Sequence, residues 1–314
     1  MSTKNQKKVA IIGAGITGLY LAWKLCQKGF KVTVFERKKE IGKTACSGLF
    51  SKRILDFIPE SRSLIENQIK YVLLNFPKKT LKLRFSKEFL VMSHYGLDNL
   101  VALLAKKEGV EIILGKEVNF FPQEFDKIIG CDGALSSIRK LLKLKEPEFR
   151  LGIQAFVPES DFSEFVEVWP TKQGFLWRIP RGKETEYGIM DAVDSAKELF
   201  NSFLNERNIK VNELSSALIP QGFIVPSNSH ITLCGDAAGL TKPWSGGGVV
   251  WGLVAADILL KNFPDFLKYK ERVEKFFLPR ISFSKIATKS VYFLGFRMPW
   301  LLFKNFKIES DFLL

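Results

Sequence analysis

Apolar and polar positions follow two rhythms along this chain. Lys8–Ile12 is a short, nearly continuous apolar run, as a strand buried on both faces of a parallel sheet requires. Gly13-Ala14-Gly15-Ile16-Thr17-Gly18 comes next. Ile16, Leu19, Tyr20 and Trp23 then recur at helical spacing, with Lys24, Gln27 and Lys28 on the opposite face. Gly29 ends this predicted helix, and a second apolar strand, Lys31–Phe35, leads to Glu36. Further short runs predict strands at Glu111–Leu114, Phe125–Ile129 and Ile231–Leu233, and an apolar helix at Val249–Leu260. Another helix is expected to be capped by Asp98, with Leu100, Leu103 and Leu104 inward and Gly109 at its stop. The second rhythm has a period of two. Within Ile69–Met92 and Leu151–Ala192, stretches such as Leu81-Lys82-Leu83-Arg84-Phe85 read as half-buried antiparallel strands. A helix around Ala196–Glu206 follows, and no internal repeat or low-complexity linker interrupts the pattern.

The first unit carries chemistry. Strand, glycine turn, helix, strand and acid, in that order, form the pattern of a dinucleotide site. Gly13 permits the tight turn, Gly15 lets the backbone approach a pyrophosphate, and Gly18 lets helix and strand pack closely. The helix N-terminus presents free N–H groups and a positive dipole end to the phosphates. Glu36, 23 residues after Gly13, is placed to accept hydrogen bonds from ribose hydroxyls. Three glycines alone are a weak motif; the flanking elements and the acid give them meaning.

Two later turns bear on which dinucleotide is held. Gly130-Cys131-Asp132-Gly133 follows the strand expected at Phe125–Ile129, and Cys234-Gly235-Asp236-Ala237-Ala238-Gly239 follows that at Ile231–Leu233. The triplet Gly246-Gly247-Gly248 then opens the apolar helix. An acid at a strand end suits ribityl or ribose hydroxyls, and bare glycines offer a second helix N-terminus to a pyrophosphate or to the O2 edge of a flavin. The alternative is two more glycine-rich turns with no ligand.

The fingerprint with Glu36-Arg37, then Asp132-Gly133, then Gly235-Asp236, resembles the FAD-dependent oxidoreductases related to aromatic hydroxylases. Within that group three stretches resemble the geranylgeranyl reductase family: Ala45-Cys46-Ser47-Gly48-Leu49, Gly174-Phe175-Leu176-Trp177-Arg178-Ile179-Pro180, and the run from Gly239 to Val249. The last is similar to the archaeal reductases acting on digeranylgeranyl glycerolipids. The resemblance implies Ala14 and Glu36 at the ADP half of FAD, backbone near Val118 by the adenine, and Cys46 and Gly48 beside the flavin ring. It implies Asp236, Gly247, Gly248 and Val249 at the ribityl–pyrophosphate end. Relatives often carry an arginine, contacting the cofactor phosphates, four residues before a helix-capping aspartate. Here that place before Asp98 is His94, and a neutral imidazole would weaken the contact.

The expected architecture is α/β: a Rossmann-like FAD-binding domain, an inserted antiparallel sheet as substrate domain, and a C-terminal helical cap. The cofactor domain is discontinuous, over 1–66, 97–148 and 229–260; the substrate domain takes 67–96 and 149–228, and the cap 261–314.

With 314 residues, 46% hydrophobic and 25% charged, the chain has the composition of a globular protein of one or two domains. Collagen, coiled coil and a secreted disulfide scaffold are excluded. Cys26, Cys46, Cys131 and Cys234 lack metal or redox-motif spacing, and His94 and His230 are the only histidines, so no metal site is expected. Isolated cysteines point to a reducing compartment. The apolar run Val9–Ile12 is too short for a secretory signal, and the candidate spans Gly246–Leu260 and Val291–Phe303 are interrupted by Asp257, Arg297 and Pro299. The expectation is a cytoplasmic protein.

The net charge of +14 and 28 phenylalanines suit nucleic acid, an anionic membrane surface or an acidic ligand. The basic residues are dispersed with no recognition motif, which argues against nucleic acid. The tail 261–314 carries 11 Lys/Arg against 5 Asp/Glu, interleaved with aromatics such as Phe283, Phe293, Trp300 and Phe303. It reads first as a cap over the substrate domain, a role compatible with peripheral contact at the inner face of a membrane.

Three functions fit. The first is a flavin-dependent reductase of isoprenoid double bonds on a prenyl lipid. Cys46 is then a proton relay, a redox thiol or simply a small residue against the cofactor; Trp177 walls the pocket, and Arg178 anchors an anionic headgroup or is solvated. No second glycine fingerprint is visible, so electrons would come from docked NAD(P)H or from an acidic, ferredoxin-like protein drawn by the positive charge. The second is a flavin hydroxylase or epoxidase using oxygen. The third is a non-enzymatic prenyl-lipid carrier, against which Glu36, Asp132 and Asp236 argue.

Overall fold

The computed structural model describes residues 7–42 and 45–313. The chain opens with strand β1 (Lys8–Ile12), helix α1 (Ile16–Gln27) and strand β2 (Lys31–Glu36), then the short β3 (Leu49–Ser51) and α2 (Ile54–Phe57). A long hairpin of β4 (Ile65–Phe76) and β5 (Lys79–Met92) precedes α3 (His94–Lys107), β6 (Glu111–Leu114), β7 (Lys127–Gly130) and α4 (Ser137–Leu141). Next come β8 (Glu148–Val157), β9 (Phe165–Pro170), β10 (Phe175–Pro180), β11 (Thr185–Asp191), α5 (Ala196–Glu206), β12 (Ser215–Gln221) and β13 (Ile231–Leu233). Helices α6 (Val249–Asn262) and α7 (Phe266–Arg297) lead to a last strand, β14 (Asn305–Ile308).

The apolar runs form one parallel sheet in the order β13-β7-β1-β2-β6. Its centre, β1, pairs Ile11 with Val34 on one side and Ile129 on the other. Helices α1, α3, α6 and the first half of α7 cover the sheet with Leu19, Val101, Leu253 and Phe277, all essentially inaccessible. The order doubles back beside β1, so the turns after β1, β7 and β13 meet at the carboxyl edge, where open α/β sheets leave a crevice.

The alternating segments form the second sheet, in the order β12-β8-β11-β10-β9-β4-β5-β14, with β3 also on β5. One face packs on α5 through Ile153, Tyr187, Phe200 and Phe203; the other presents Ile69, Val166, Trp177 and Met190 toward the first sheet.

Several expectations need correction. The strand expected at Phe125–Ile129 begins two residues later, because Asp126 instead accepts from the Lys8 amide at the sheet edge. Helix α3 starts earlier than predicted: Ser93, not Asp98, caps it by accepting from the Gly96 amide, and Asp98 lies buried inside it. The longer helix turns a different face inward, so Leu103 is exposed while Leu97, Val101 and Ala105 are buried. The second sheet is not wholly antiparallel, since β4 pairs with β9 and β5 with β14 in parallel. The tail is not wholly helical either: β14 gives it an edge strand, and Asp311 beyond it is buried.

Candidate active site

The turn after β1 closes as its glycines predict. Gly13 has φ +106°, and a Cβ there would stand 2.4 Å from the Cys131 carbonyl oxygen. A Cβ on Gly18 would stand 2.1 Å from the Gly13 carbonyl oxygen, so Gly18 lets α1 pack against the turn and does not itself face the cavity. At Gly15 there is open space instead, and the residue lines the cavity. No side chain caps α1, which leaves its first N–H groups directed at that space. Glu36, at the end of β2, accepts from the Ala14 amide at 2.8 Å and the Lys38 amide at 2.9 Å, so its carboxylate is fixed at the cavity edge beside Arg37.

The other two turns join this one around a single cavity of about 1070 Å³. Asp132 lines it, but its carboxylate is largely taken up by the Ser136 and Ser137 hydroxyls and the Ser137 and Ile138 amides at the start of α4. Gly133, with φ +80° and open space at its Cβ position, gives the backbone close access there. Asp236 lines the opposite wall, and Gly248 must be bare because a Cβ would stand 2.5 Å from Asp236 Oδ1. Gly235 supports this turn from behind, against Thr17. Gly247, Gly248, Val249 and Val118 also line the cavity. Two bare backbone positions over open space, an uncapped helix N-terminus and a fixed acid make a cradle suited to a dinucleotide such as FAD. Ala14, Gly15 and Glu36 would hold its ADP half, and Asp236 with Gly247 and Gly248 the ribityl–flavin half.

From the cradle the cavity continues into an apolar recess. Leu74, Leu83, Phe85, Val168 and Phe175 line it from the second sheet, and Val291 from α7. Trp177 and Cys46 also face this space, whereas Gly48 does not: its φ of +62° and the Met92 carbonyl oxygen, 2.1 Å from a Cβ there, make it a turn glycine. Trp177 lies across Gly188 of the neighbouring strand, and its indole N–H donates to Glu186 at 2.9 Å. Glu186 is fully buried and also accepts from Arg181 at 2.9 Å, while Arg181 donates to the Ser47 carbonyl at 2.8 Å and pairs with Glu66. Burial pushes the Glu186 carboxyl up to about 8, against the pull of Arg181 and Trp177 and with a contribution from nearby Cys46.

Sequence reasoning missed the Arg181–Glu186 pair. An acid within Thr185–Asp191, a strand buried at every position, and an arginine across the same hairpin turn were the available signal. Arg178 is neither a headgroup anchor nor solvated: it pairs with Asp161 at 2.7 Å, donates to the Tyr187 hydroxyl at 3.2 Å and does not line the cavity. His94 does line it. Burial opposes protonation, yet Asp98 and Cys46 more than offset this and raise the imidazole to about 10. Among the described residues no group of three or more His, Cys, Asp or Glu is arranged to hold a metal ion.

Residues 8–117 match the family of FAD dependent oxidoreductases. A digeranylgeranylglycerophospholipid reductase of Methanococcus vannielii is 24% identical over 341 residues, covering 90% of this chain and 86% of that protein. A geranylgeranyl bacteriochlorophyll reductase-like protein from Thermoplasma acidophilum superimposes with a TM-score of 0.80 at 19% identity, covering 91% and 88% of the two chains. A p-nitrophenol 4-monooxygenase from Pseudomonas putida does so with a TM-score of 0.74 at 17% identity, covering 91% and 89%. At such identities the structural likenesses establish the fold, while the domain match and the curated relative bear on chemistry. They set the carrier reading aside, and the chain is an FAD-dependent oxidoreductase that resembles the geranylgeranyl reductase family.

Proposed function

We propose that this protein reduces carbon–carbon double bonds of isoprenoid, geranylgeranyl-type chains carried on lipids. The observation that carries this reading is the continuity of the dinucleotide cradle with the apolar recess: a cofactor ring and a long hydrocarbon chain would share one cavity. Reduced FAD supplies a hydride when bound. An unactivated alkene has no carbonyl to hold charge, so the protein's tasks are to align the chain, exclude water and present a proton from the cavity wall. Phe175 and Val168 serve the alignment, Trp177 walls the recess, and Cys46 is a proton-bearing side chain exposed to it. The donor of electrons is NAD(P)H or an acidic ferredoxin-like protein, whose approach the net charge of +14 favours.

The tail adds a place for the lipid to come from. Helix α7 lines the cavity with Ala287, Thr288 and Val291, while Phe283, Ile286 and Phe293 are exposed on it, followed by exposed Trp300 and Phe303. Lys285, Lys289, Arg297, Lys304 and Lys307 are exposed on the same segment. Each basic residue near an anionic leaflet contributes about 1 kcal/mol, so this face suits peripheral contact with the inner face of a membrane. No described helix is long and apolar enough to span one. Flotation with anionic liposomes, lost at high salt and in a Trp300→Ser, Phe303→Ser variant, is the expected result; equal flotation with neutral vesicles removes the electrostatic part.

The reduction itself is tested anaerobically. Reduced holoenzyme mixed with a geranylgeranyl lipid should regain its visible flavin band as the lipid gains two hydrogens per bond. A lipid of unchanged mass rejects the reading. The fold shared with p-nitrophenol 4-monooxygenase favours a second reading, an oxygen-using hydroxylase or epoxidase. Substrate-dependent oxygen uptake with an oxygenated product would select it.

A further inference from the structure

The wall beside Cys46 holds a cluster that a dinucleotide cradle does not require. His94 is the first residue of α3, a position where burial and the positive end of the helix dipole both oppose an imidazolium. Yet its Nε2 lies 3.4 Å from Oδ1 of Asp98, one turn along the helix, and the two residues are 6% and 1% exposed. The ring meets Phe50 edge-on, with centroids 5.6 Å apart, which fixes its plane. Cys46 lies beside the imidazole, near enough to favour its charged form, and both residues line the cavity. Carboxylate and thiol thus both stand beside the imidazole, with the thiol exposed to the cavity. From the second sheet, Glu186 and the Arg181 guanidinium, which donates to the Ser47 carbonyl, lie close by.

We propose that His94, anchored by Asp98, is the positioning residue that makes Cys46 acidic, so that the thiol and the imidazole share one proton at the cavity wall. The array rests on the reductase reading only for the use made of that proton. When the proton leaves for a substrate carbon, a thiolate and a neutral imidazole remain, and one proton from solvent restores the pair. The high affinity of His94 for its proton agrees with this arrangement, since Asp98 and Cys46 both favour the charged ring.

The test is the pH profile of iodoacetamide alkylation in the FAD-loaded protein, read at the Cys46 peptide by mass spectrometry. Only the thiolate reacts, so the midpoint reports thiol ionisation. Cys26 is an internal reference, because burial and Glu108 push its thiol above the ordinary value. The expected Cys46 midpoint is below about pH 7, against about 8.5 for an ordinary thiol. His94→Gln should raise it by at least about one unit, and Asp98→Asn by less, with the Cys26 profile unmoved. A wild-type midpoint at about 8.5 or above, or one that neither substitution moves, overturns the proposal. Asp98→Asn carries the test if the His94 variant does not fold. Because alkylation needs no lipid, a low midpoint in a protein that fails to reduce an alkene would reject the reductase reading and leave the pair standing.

Discussion

At the scale of single residues, the groups that matter most are buried polar ones with named partners. Glu186 accepts from Trp177 and Arg181, and Glu66 gives Arg181 a second anion. Leaving a buried polar group without its hydrogen-bond partner typically costs about 1–3 kcal/mol, and more when that group is charged, as Arg181 is. Glu186→Ala should cost about 3 kcal/mol in denaturant unfolding, because it leaves both Trp177 and Arg181 short of a partner while Glu66 remains. A loss under about 1 kcal/mol would mean that the pair is not formed. His94 carries a pH signature. Its folded value of about 10 lies above the free 6.5, so its contribution is fully present below about pH 6.5 and is lost as pH rises through about 10. Unfolding midpoints should therefore fall between about pH 7 and pH 10 in the wild type, and His94→Gln should lack that part of the decline. At Glu36 the expected effect is on affinity. Glu36→Ala strips charge-assisted hydrogen bonds to ribose worth about 1.5–3 kcal/mol each, and calorimetry showing unchanged FAD binding would move the cofactor elsewhere.

At the scale of elements, the turn from β1 into α1 separates folding from binding within one short segment. A methyl group at Gly18 would strike the Gly13 carbonyl, whereas one at Gly15 meets no protein atom. Gly18→Ala should therefore destabilise the protein with or without FAD. Gly15→Ala should leave the FAD-free melting temperature within about 2 °C of the wild type while weakening FAD binding at least tenfold. The opposite outcome, a destabilised Gly15 variant that still binds FAD, would show that the cofactor backbone passes somewhere else. Helix α7 is divided in a similar way. Phe266, Tyr269, Val273 and Phe277 pack into the parallel-sheet core, and the following turns exchange that core for the cavity wall through Ala287, Thr288 and Val291.

At the scale of the whole molecule, the last described residues tie the two sheets together across the cavity. Strand β14 lies on β5, and just beyond it Asp311 is bound by Lys242 at 2.5 Å, Arg53 at 2.8 Å and the Ser51 hydroxyl. Trp251 of α6 donates to the Asp311 carbonyl. Burial alone would raise the Asp311 carboxyl, but Lys242, Ser51 and Arg53 bring it below its ordinary 3.8. A depressed value means that its contribution is present above about pH 3.8 and disappears as pH falls through the folded value. Asp311→Asn should lower stability at neutral pH by about 3 kcal/mol or more and flatten the acid limb of the pH–stability curve. An unchanged acid limb would show that the closure does not depend on this carboxylate.

The legible part of the molecule was the part written over short stretches of chain. Hydrophobic period and glycine spacing determined the β1–α1–β2 unit, the turns at Asp132-Gly133 and Gly235-Asp236, and the alternating strands of the second sheet, because a strand or a tight turn depends on neighbours a few residues away. Local pattern also misled where a nearer competitor existed: Ser93 offered the better cap, so Asp98 went into the helix and became the partner of His94. What only the tertiary structure decided was which distant residues meet. Cys46 beside His94 and Glu186, and Asp311 locked to Lys242 and Arg53, join segments far apart in sequence. Such approaches arise from how whole sheets and helices pack, and a one-dimensional pattern carries the faces of those elements but not their mutual placement.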